Sequence, residues 1–209
     1  EPEVNGARRR QLIVKRLFDV VLASLALLFF APLLTIIAIV IKLSSHGPVL
    51  FRQQREGVGG APFEALKFRS MRMDDCDATG VTQTLPNDPR CTAIGRFIRK
   101  TSIDELPQLF NVVRGEMSLV GPRPHVAGML AAGVPYKILV PYYNARLSMR
   151  PGITGWAQAN GLRGTTVSAI AARARVEHDI AYVQNFSLWL DIRIIGKTIM
   201  TEFFAGTGI

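Results

Sequence analysis

One uninterrupted apolar run near the N-terminus dominates the hydrophobic pattern of this chain. Residues 20–41 contain no charged side chain, and this is about the length that a membrane-spanning helix needs. Pro32 lies near the middle of the run, where it removes a helical hydrogen bond, and basic residues flank both ends. Because positive charge favours the cytoplasmic side, these flanks give a spanning helix no clear orientation. The pattern favours a re-entrant helix–break–helix over residues 15–45, with its break at Ala31-Pro32, over a single transmembrane helix.

Two short runs of alternating apolar and polar residues follow, at 49–54 and 63–68. A glycine-rich segment separates them, and strand-forming runs around such a segment predict a β-hairpin. Residues 57–60, Gly-Val-Gly-Gly, resemble part of a phosphate-binding loop. They lack the Lys-Ser/Thr pair of such loops and do not open a helix, so we interpret them as the hairpin turn.

Helical periodicity predicts most of the remaining secondary structure. We expect helices at 92–99, 102–114, 168–185 and 187–204, and a longer helical region at 126–149 that is interrupted near 133–135. Residues 74–89 and 150–156 have the composition of loops. The predicted fold class is α+β: a mostly helical, membrane-associated domain with the re-entrant helix and one small β-hairpin.

The last predicted helix carries one apolar stripe. Its members are Leu188, Ile192, Ile195, Ile199 and Phe203. Such a stripe is typical of a helix that faces the core of its own domain. Trp189 and the basic residues of the same helix favour the alternative, a helix that lies in the membrane interface.

The composition of the chain says more about its binding partners than about its fold. The chain has 209 residues and a formal net charge of +9, so anionic partners are expected: nucleic acid, acidic lipid headgroups or nucleotide-sugar phosphates. Its two cysteines, Cys76 and Cys91, have no CxxC spacing and no neighbouring histidines, which argues against a disulfide framework and a zinc site. Residues 1–14 read as a basic N-terminal arm, either frayed or the cut end of a longer protein.

Two adjacent carboxylates, Asp104 and Glu105, stand at a predicted helix start between basic residues. Ser102 and Glu105 fit a capping box, which is the purely structural interpretation of Glu105. The helix dipole and the neighbouring Arg99 and Lys100 would favour the ionised form of Asp104. Because successive helix residues point in different directions, we do not expect the pair to share a proton.

An ionised carboxylate in a phosphate-binding pocket can attack phosphorus and form an acyl phosphate. Hard divalent cations choose oxygen ligands and bridge substrate phosphates. We therefore expect Asp104 to act as a nucleophile and Glu105, with Asp104 beside it, to hold Mg²⁺.

Four long motifs then appear in a characteristic order. They are Lys-Phe-Arg-Ser-Met at 67–71, Arg-Lys-Thr-Ser-Ile-Asp-Glu-Leu-Pro-Gln-Leu-Phe-Asn at 99–111, Met-Ser-Leu-Val-Gly-Pro-Arg-Pro at 117–124 and Arg-Pro-Gly-Ile-Thr-Gly-Trp-Ala-Gln at 150–158. Through these motifs the chain, from about residue 15 to its end, resembles the bacterial sugar transferases. These are monotopic polyprenyl-phosphate phosphoglycosyl transferases, and the closest resemblance is to the type that initiates exopolysaccharide synthesis.

The resemblance implies a reaction in two steps. Asp104 would attack the sugar-linked phosphate of a UDP-sugar and release UMP, and undecaprenyl phosphate would then take the sugar phosphate from the enzyme. Glu105 would hold Mg²⁺ or position the phosphate. Basic side chains would neutralise phosphate charge, a role that the planar fork of arginine suits; these are Lys67, Arg99 and Arg123. Arg150 and Asp179 are further candidates for substrate binding.

The resemblance also implies a location and a set of partners. The catalytic domain, residues 46–209, would face the cytoplasm from the bacterial inner membrane. We expect a UDP-sugar, undecaprenyl phosphate and membrane lipids as partners, and we expect no nucleic acid. A homodimer is possible. Residues 160–166 and 175–179 look more like those of glucose-1-phosphate transferases than like those of enzymes for acetylated diamino sugars.

Other functions and other roles for the candidate residues remain open at this point. The positive charge allows a membrane-tethered nucleic-acid-binding protein, although no aromatic platform or recognition helix accompanies it. A non-catalytic membrane scaffold and a lipid-diphosphate phosphatase are further alternatives. Asp179 and Asp191 could simply pair with the nearby Arg175 and Arg193. His125 and His178 lack metal-ligand spacing and read as surface groups or as hydrogen-bonding groups within helices.

Overall fold

The computed structural model describes residues 6–72, 88–162, 164 and 168–205. The helices are α1 (Gly6–Ser44), α2 (Ala93–Lys100), α3 (Gln108–Arg114), α4 (Tyr136–Leu139), α5 (Trp156–Ala159), α6 (Ala169–Asn185) and α7 (Leu188–Ala205). The strands are β1 (Leu50–Glu56), β2 (Pro62–Phe68), β3 (Ser118–Val120), β4 (Leu130–Ala131), β5 (Val134–Pro135) and β6 (Gly152–Thr154). They pair two by two, as β1–β2, β3–β6 and β4–β5. The mostly helical α+β class is confirmed.

Helix α1 is continuous where a break was predicted. It runs from Gly6 to Ser44 through Pro32, because a proline removes a single backbone hydrogen bond and the bonds on either side can keep the chain helical. The hydroxyl of Thr35 donates to the carbonyl of Ala31 at 2.9 Å. The helix–break–helix at Ala31-Pro32 is therefore not seen as an interruption of secondary structure. By length and composition alone, α1 could cross a membrane.

The described part of the predicted N-terminal arm is helical as well. Residues 6–14 form the first turns of α1. The guanidinium of Arg8 donates to the carbonyl of Val183 at 2.8 Å and lies over the ring of Phe186. Because Val183 is in the last turn of α6, Arg8 satisfies a carbonyl that the helix itself leaves unpaired. The prediction of a frayed arm is wrong for these residues.

Both ends of the apolar stretch of α1 contact the folded part of the chain. Before the stretch, Asp19 accepts hydrogen bonds from the hydroxyl of Ser118 at 2.7 Å and from the amide of Leu119 at 3.2 Å. After it, the guanidinium of Arg69 donates to the carbonyls of Ile41 and Ser45 at 3.2 and 2.7 Å. The helix is thus tied at one end to β3 and at the other to the end of β2.

The β1–β2 hairpin is confirmed, and so is the interpretation of its glycine segment as a turn. The two strands are antiparallel, with Leu50 opposite Phe68, and a 3₁₀ turn, Val58–Gly60, joins them. Gly59 and Gly60 have φ of 65° and 83°, a conformation that glycine adopts without steric cost. No helix starts from this turn, so nothing there presents a row of amides to a phosphate.

Helix α2 agrees with its prediction, whereas the next helix starts later than expected. Thr92 caps α2 by accepting from the amide of Gly95 at 2.9 Å. Ser102 has a left-handed φ of 54° and makes no capping hydrogen bond with its side chain. A 3₁₀ turn, Ile103–Glu105, follows it, and α3 begins only at Gln108. The predicted capping box between Ser102 and Glu105 is therefore wrong.

A parallel strand pair replaces the loop that was predicted at 150–156. Strand β6 pairs with β3 so that Ser118 lies opposite Gly152. A Cβ on Gly152 would lie 2.1 Å from the amide nitrogen of Gly121, and one on Gly121 would lie 2.4 Å from the carbonyl oxygen of Arg150. Only glycine permits this close approach. The pairing anchors the segment Gly-Pro-Arg-Pro that leaves β3.

The helix predicted at 126–149 is wrong for most of its length. Strands β4 and β5 form a tight hairpin whose two linking residues, Ala132 and Gly133, have φ of 50° and 80°. Two successive positive φ values are what a two-residue hairpin turn requires. The short helix α4 and a 3₁₀ turn, Tyr143–Ser148, complete the region. The residues predicted as a loop at 74–89 lie almost entirely outside the described part of the chain.

Helices α6 and α7 are confirmed, but α7 turns a different face to the core. Among residues 188–201, whose burial is described, Asp191 and Ile194 are the buried ones, whereas Ile192 and Ile199 of the predicted stripe are about half exposed, at 48% and 51%. Trp189 is exposed as well. The core-facing interpretation of the stripe is wrong for Ile192 and Ile199, whereas Ile195 of the same stripe packs against the core; the side chain of Phe203 lies outside the described residues. An exposed apolar face on a basic protein fits the alternative, a helix at the membrane interface.

Candidate active site

The two adjacent carboxylates lie in the 3₁₀ turn between α2 and α3. The left-handed conformation of Ser102 ends α2 abruptly, so the next residues turn back toward the hairpin. Asp104 becomes buried, with 8% of its surface exposed, and Glu105 keeps 20% of its side chain exposed. The turn thus presents two carboxylates with different environments.

Glu105 is held by two cations. Its Oε1 accepts from the ammonium of Lys67 at 2.6 Å and from the guanidinium of Arg123 at 3.3 Å. Burial alone would raise the pKa of Glu105, but Lys67 and Arg123 outweigh it and hold that pKa below its ordinary value. Glu105 is therefore ionised over the whole physiological range.

Asp104 is buried but unpaired. Within the described part of the chain it makes neither a hydrogen bond nor an ion pair within 4 Å, in contrast to its neighbour. Burial raises the pKa of Asp104 to about 6; the charge of Lys67 lowers it and the charge of Glu105 raises it further. A carboxylate with such a pKa is ionised at neutral pH, and it is more basic than an ordinary aspartate. These are the properties of a poised nucleophile.

Arg99 and Arg55 complete the cationic surroundings. Arg99, in the last turn of α2, is half-buried and its charge lowers the pKa of Asp104. Arg55 was missed in the sequence, because it reads there as one of several bases in a polar strand. Burial lowers its pKa to about 10, with a further contribution from the charge of Arg123. Its guanidinium donates to the carbonyl of Pro124 at 3.1 Å and to the side chain of Gln53.

The charged side chains around the two carboxylates have a net positive charge. Lys67, Arg123, Arg99 and Arg55 bring four positive charges near the two carboxylates. The excess of two positive charges favours a ligand that carries about as many negative ones, such as a diphosphate. The site can thus bind a phosphate group and present a free carboxylate to it.

The structure does not bring Arg150 and Asp179 into contact with this pair. Arg150 is exposed, and its Nε donates to the carbonyl of Gly115 at 2.8 Å, beyond the end of α3. Asp179 is buried and pairs with Arg146, which donates to it from Nη2 at 2.6 Å and from Nε at 2.9 Å. Arg175, the partner considered for Asp179 in the sequence, donates instead to the carbonyl of Gly164.

Two other sequence interpretations need correction. Asp191 pairs with Lys15 at 2.6 Å and accepts from the hydroxyl of Tyr182 at 2.7 Å, so its partner is not Arg193. His125 is buried, not on the surface: its Nδ1 lies 3.0 Å from the hydroxyl of Tyr143. Burial, helped by nearby arginines, holds the pKa of His125 well below its usual range. His178 does bond within its helix, to the carbonyl of Ala174.

The donor set at the pair suits one shared magnesium ion. Mg²⁺ usually takes one or two carboxylates and fills its other positions with substrate phosphates and water. Within the described ranges no group of three or more His, Cys, Asp or Glu side chains could hold a metal ion, so among these residues we consider only the two carboxylates Asp104 and Glu105. Lys67 and Arg123 both contact Oε1 of Glu105. Its Oε2 lies outside these two contacts, which fits a metal completed by the substrate.

An open apolar groove of about 850 Å³ lies beside the site. One face of α1 forms its floor, at positions spaced three and four residues apart, and the hairpin and α3 form its walls. Its lining includes Ala31, Leu34, Thr35, Ala38, Phe68, Pro107 and Phe110. Pro107 is only two residues beyond Glu105, so one end of the groove lies close to the carboxylate pair.

Comparison with known proteins shows which proteins the chain is similar to. The exopolysaccharide production protein PSS of Rhizobium leguminosarum bv. phaseoli is 52% identical over 197 residues, which are 94% of this chain and 98% of that protein. The undecaprenyl-phosphate glucose phosphotransferase of Komagataeibacter xylinus is 52% identical over 194 residues, 93% of this chain and 36% of that protein.

A third relative is the UDP-glucose:undecaprenyl-phosphate glucose-1-phosphate transferase of Escherichia coli (strain K12). It is 48% identical over 191 residues, 91% of this chain and 40% of that protein. The chain therefore spans nearly all of the Rhizobium protein and less than half of the other two. A profile of the family described as bacterial sugar transferase matches residues 10–205. The chain is an enzyme that belongs to the bacterial sugar transferase family.

Proposed function

We propose that this enzyme transfers glucose-1-phosphate from UDP-glucose to undecaprenyl phosphate and releases UMP. This would be the first membrane step of exopolysaccharide assembly. The observation that carries the proposal is the buried, unpaired Asp104 beside a cationic phosphate site. The names of two relatives that share about half of their residues with the chain supply the sugar and the lipid.

The reaction proceeds through a covalent intermediate on Asp104. A carboxylate oxygen of Asp104 attacks the sugar-linked phosphorus of UDP-glucose, and the bond from that phosphorus to the bridging oxygen breaks, so that UMP leaves with both bonding electrons. A phosphate oxygen of the lipid then attacks the same phosphorus, and the bond to Asp104 breaks. The products are glucose joined to the lipid through a diphosphate and the regenerated carboxylate.

The surrounding side chains divide the other tasks. Arg123 and Lys67 neutralise the phosphate that is attacked, since cations placed where charge develops lower the barrier. Glu105 fixes both cations by its ion pairs. Mg²⁺, when bound at Glu105 and Asp104, would supply a further positive charge on the diphosphate. Arg99 and Lys67 keep Asp104 ionised near neutral pH by opposing the effect of burial.

Intact-protein mass spectrometry tests this chemistry. The protein is incubated with Mg²⁺ and a panel of UDP-sugars without lipid acceptor, beside the matched variant Asp104→Asn. We expect a mass gain of one hexose phosphate with UDP-glucose on the unchanged protein only, and one UMP released per adduct. An equal adduct on Asp104→Asn would place the nucleophile elsewhere. UMP release only in the presence of lipid would mean direct transfer, and release of inorganic phosphate would favour a phosphatase.

We further propose that α1 enters the cytoplasmic leaflet without crossing it. Residues at both ends of its apolar stretch contact one folded unit, through Asp19 before it and the carbonyl of Ile41 after it. If the helix crossed the bilayer, these two contacts would lie on opposite sides. Pro32 leaves one backbone carbonyl without its helical partner, which favours bending at that point. The catalytic residues would then stand at the cytoplasmic face of the inner membrane.

The apolar groove is the place that we propose for the isoprenoid chain of the acceptor. It runs along the apolar stretch of α1 and includes Pro107, two residues beyond Glu105, so a chain lying in it would bring its phosphate to the phosphosugar on Asp104. Apolar contacts of this kind contribute about 0.8 kcal/mol per buried methylene group.

A large side chain placed in the groove should therefore slow only the transfer of the sugar phosphate from Asp104 to the lipid. We expect Ala31→Trp to lower the rate of lipid glycosylation by about tenfold, the cost of about two lost methylene contacts. The burst of UMP from UDP-glucose without acceptor should stay unchanged. The control is Ile36→Trp, which adds the same side chain to an exposed position of α1 outside the groove. Equal losses in both variants would argue against the groove as the acceptor site.

A further inference from the structure

The segment that carries Arg123 is held by its carbonyl groups. Pro122 and Pro124 on either side of Arg123 have no amide hydrogen, so they cannot anchor the segment as donors. The carbonyl of Arg123 accepts from Nη2 of Arg146. The carbonyl of Pro124 accepts from Arg55 at 3.1 Å, and that of the next residue, His125, accepts from the amide of Glu56 at 2.8 Å. The carbonyl of Pro122 accepts from the amide of Gly152 at 3.0 Å, so four successive carbonyls have donors.

Of the two side chains that donate to this segment, Arg146 and Arg55, only Arg146 is fully buried. It is 1% exposed, and so is its partner Asp179. The same Nη2 that donates to the carbonyl of Arg123 also donates to Oδ2 of Asp179 at 2.6 Å, and Nε adds a second bond at 2.9 Å. The hydroxyl of Tyr143 accepts from Nη1 at 3.2 Å. Every nitrogen of the guanidinium is therefore fixed in direction.

A buried ion pair of this kind needs a reason other than stability. Removing two charges from water costs several kcal/mol per ion, and a hydrophobic replacement is often neutral or stabilising. The pair does supply a donor of fixed direction at the carbonyl of Arg123. The side chain of Arg123 reaches out from that point to Oε1 of Glu105 at 3.3 Å.

We propose that Asp179 and Arg146 are positioning residues that act through the main chain of Arg123. Asp179 orients Arg146, Arg146 fixes the carbonyl of Arg123, and the guanidinium of Arg123 is thereby aimed at Glu105 and at the substrate phosphate. Asp179 itself, being buried, does not contact the substrate. The part of this inference that concerns the substrate phosphate rests on the proposed function. The part that concerns how Arg146 holds the Arg123 segment rests only on the hydrogen bonds described above.

A double-mutant cycle tests the proposal. The first substitution is Asp179→Asn, which keeps the size of the side chain and removes its charge. The second is Arg123→Ala. The matched control is Asp191→Asn, since Asp191 is an equally buried aspartate that pairs with a cation, Lys15, and has no contact with the Arg123 segment among the described residues. The rate measured is UMP release from UDP-glucose with Mg²⁺.

We expect Asp179→Asn to lower kcat by about 10²-fold, the scale of a small misplacement of a catalytic group, with KM nearly unchanged. In the Arg123→Ala background the same substitution should cost less than about twofold, because the group that it positions is already gone. Asp191→Asn should lower kcat by the same factor in both backgrounds. If Asp179→Asn also costs the same factor in both, Asp179 acts independently of Arg123 and the proposal is wrong.

Two further measurements keep the test decisive. If Asp179→Asn does not fold, Arg146→Lys replaces it, because lysine keeps the charge opposite Asp179 but lacks the planar fork. Hydrogen exchange at the amide of Glu56, which donates to the carbonyl of His125, should accelerate in Asp179→Asn and not in Asp191→Asn. This readout needs no turnover: unchanged exchange would overturn the positioning role, whereas absent UMP release in the unchanged protein would overturn the proposed function.

Discussion

Replacing Asp104 by asparagine is expected to abolish phosphosugar transfer and to make the protein more stable. The pKa of Asp104 is raised from 3.8 to about 6 by burial, so the folded state binds this proton more tightly than the unfolded state does. Stability therefore falls as pH rises through this window, and the ionised carboxylate lowers it at neutral pH. The shift corresponds to about 3 kcal/mol at 1.36 kcal/mol per unit. Asparagine removes the buried charge and most of this penalty.

In contrast to Asp104→Asn, Glu105→Gln should make the protein less stable. The pKa of Glu105 is held below its ordinary value by Lys67 and Arg123, against the effect of burial, so its ionised form stabilises the fold above the unfolded-state pKa. Glutamine can still accept a hydrogen bond but removes the negative charge that both cations share, a loss of about 2 kcal/mol for bonds to a charged group. We expect lower activity and a lower unfolding temperature in this variant.

Thermal unfolding at two pH values separates the two effects. At pH 7.5 we expect Asp104→Asn to unfold at a higher temperature than the unchanged protein, and at pH 4, where Asp104 is protonated, the gain should nearly vanish. UMP release measured on the same samples should be lost at both pH values. A destabilised Asp104→Asn at neutral pH would show that the carboxylate has a structural role, and it would argue against a free nucleophile there.

Local signals in the sequence are sufficient for several elements of the fold. The hairpin at 49–68 is predicted because alternation and a glycine turn lie within twenty residues of each other. Helices α2 and α6 are predicted within a residue of their observed starts, since a helix start followed by helical periodicity is a short-range pattern; the structure shows Thr92 and Ser168 as their caps. The two adjacent carboxylates and the lysine and arginines around them are likewise identified in the sequence by their motifs.

The errors concern features that depend on distant residues. The pairing of β3 with β6 joins segments more than thirty residues apart, and short apolar runs give no sign of a parallel partner. Ser102 looks like a helix cap by its residue type, but the left-handed turn that the chain makes there overrides that preference. Arg55 and Arg146 appear in the sequence as ordinary bases. Their roles follow from carbonyls of the Arg123 segment, which no residue pattern displays.

Removing Lys67 should produce the second large effect, in both rate and pH dependence. In the unchanged protein we expect kcat/KM for UMP release to fall below about pH 6, tenfold per unit, because protonated Asp104 cannot attack phosphorus. Lys67 lowers the pKa of both carboxylates and donates to Glu105 at 2.6 Å. Lys67→Met should therefore reduce kcat/KM by about 10²-fold and move the acid limb toward neutral pH.

The matched control is Arg52→Met on the same hairpin. Arg52 is also a cation in an ion pair, with Glu64 at 3.3 Å, but 67% of its side chain is exposed. Its removal changes the net charge equally and should leave both the rate and the acid limb in place, since exposed pairs contribute little. The shape of the Lys67→Met profile then decides what Lys67 does. A uniform loss at all pH values would mean that it acts on the substrate phosphate alone, whereas a loss that diminishes at high pH would mean that it also holds Asp104 ionised for attack.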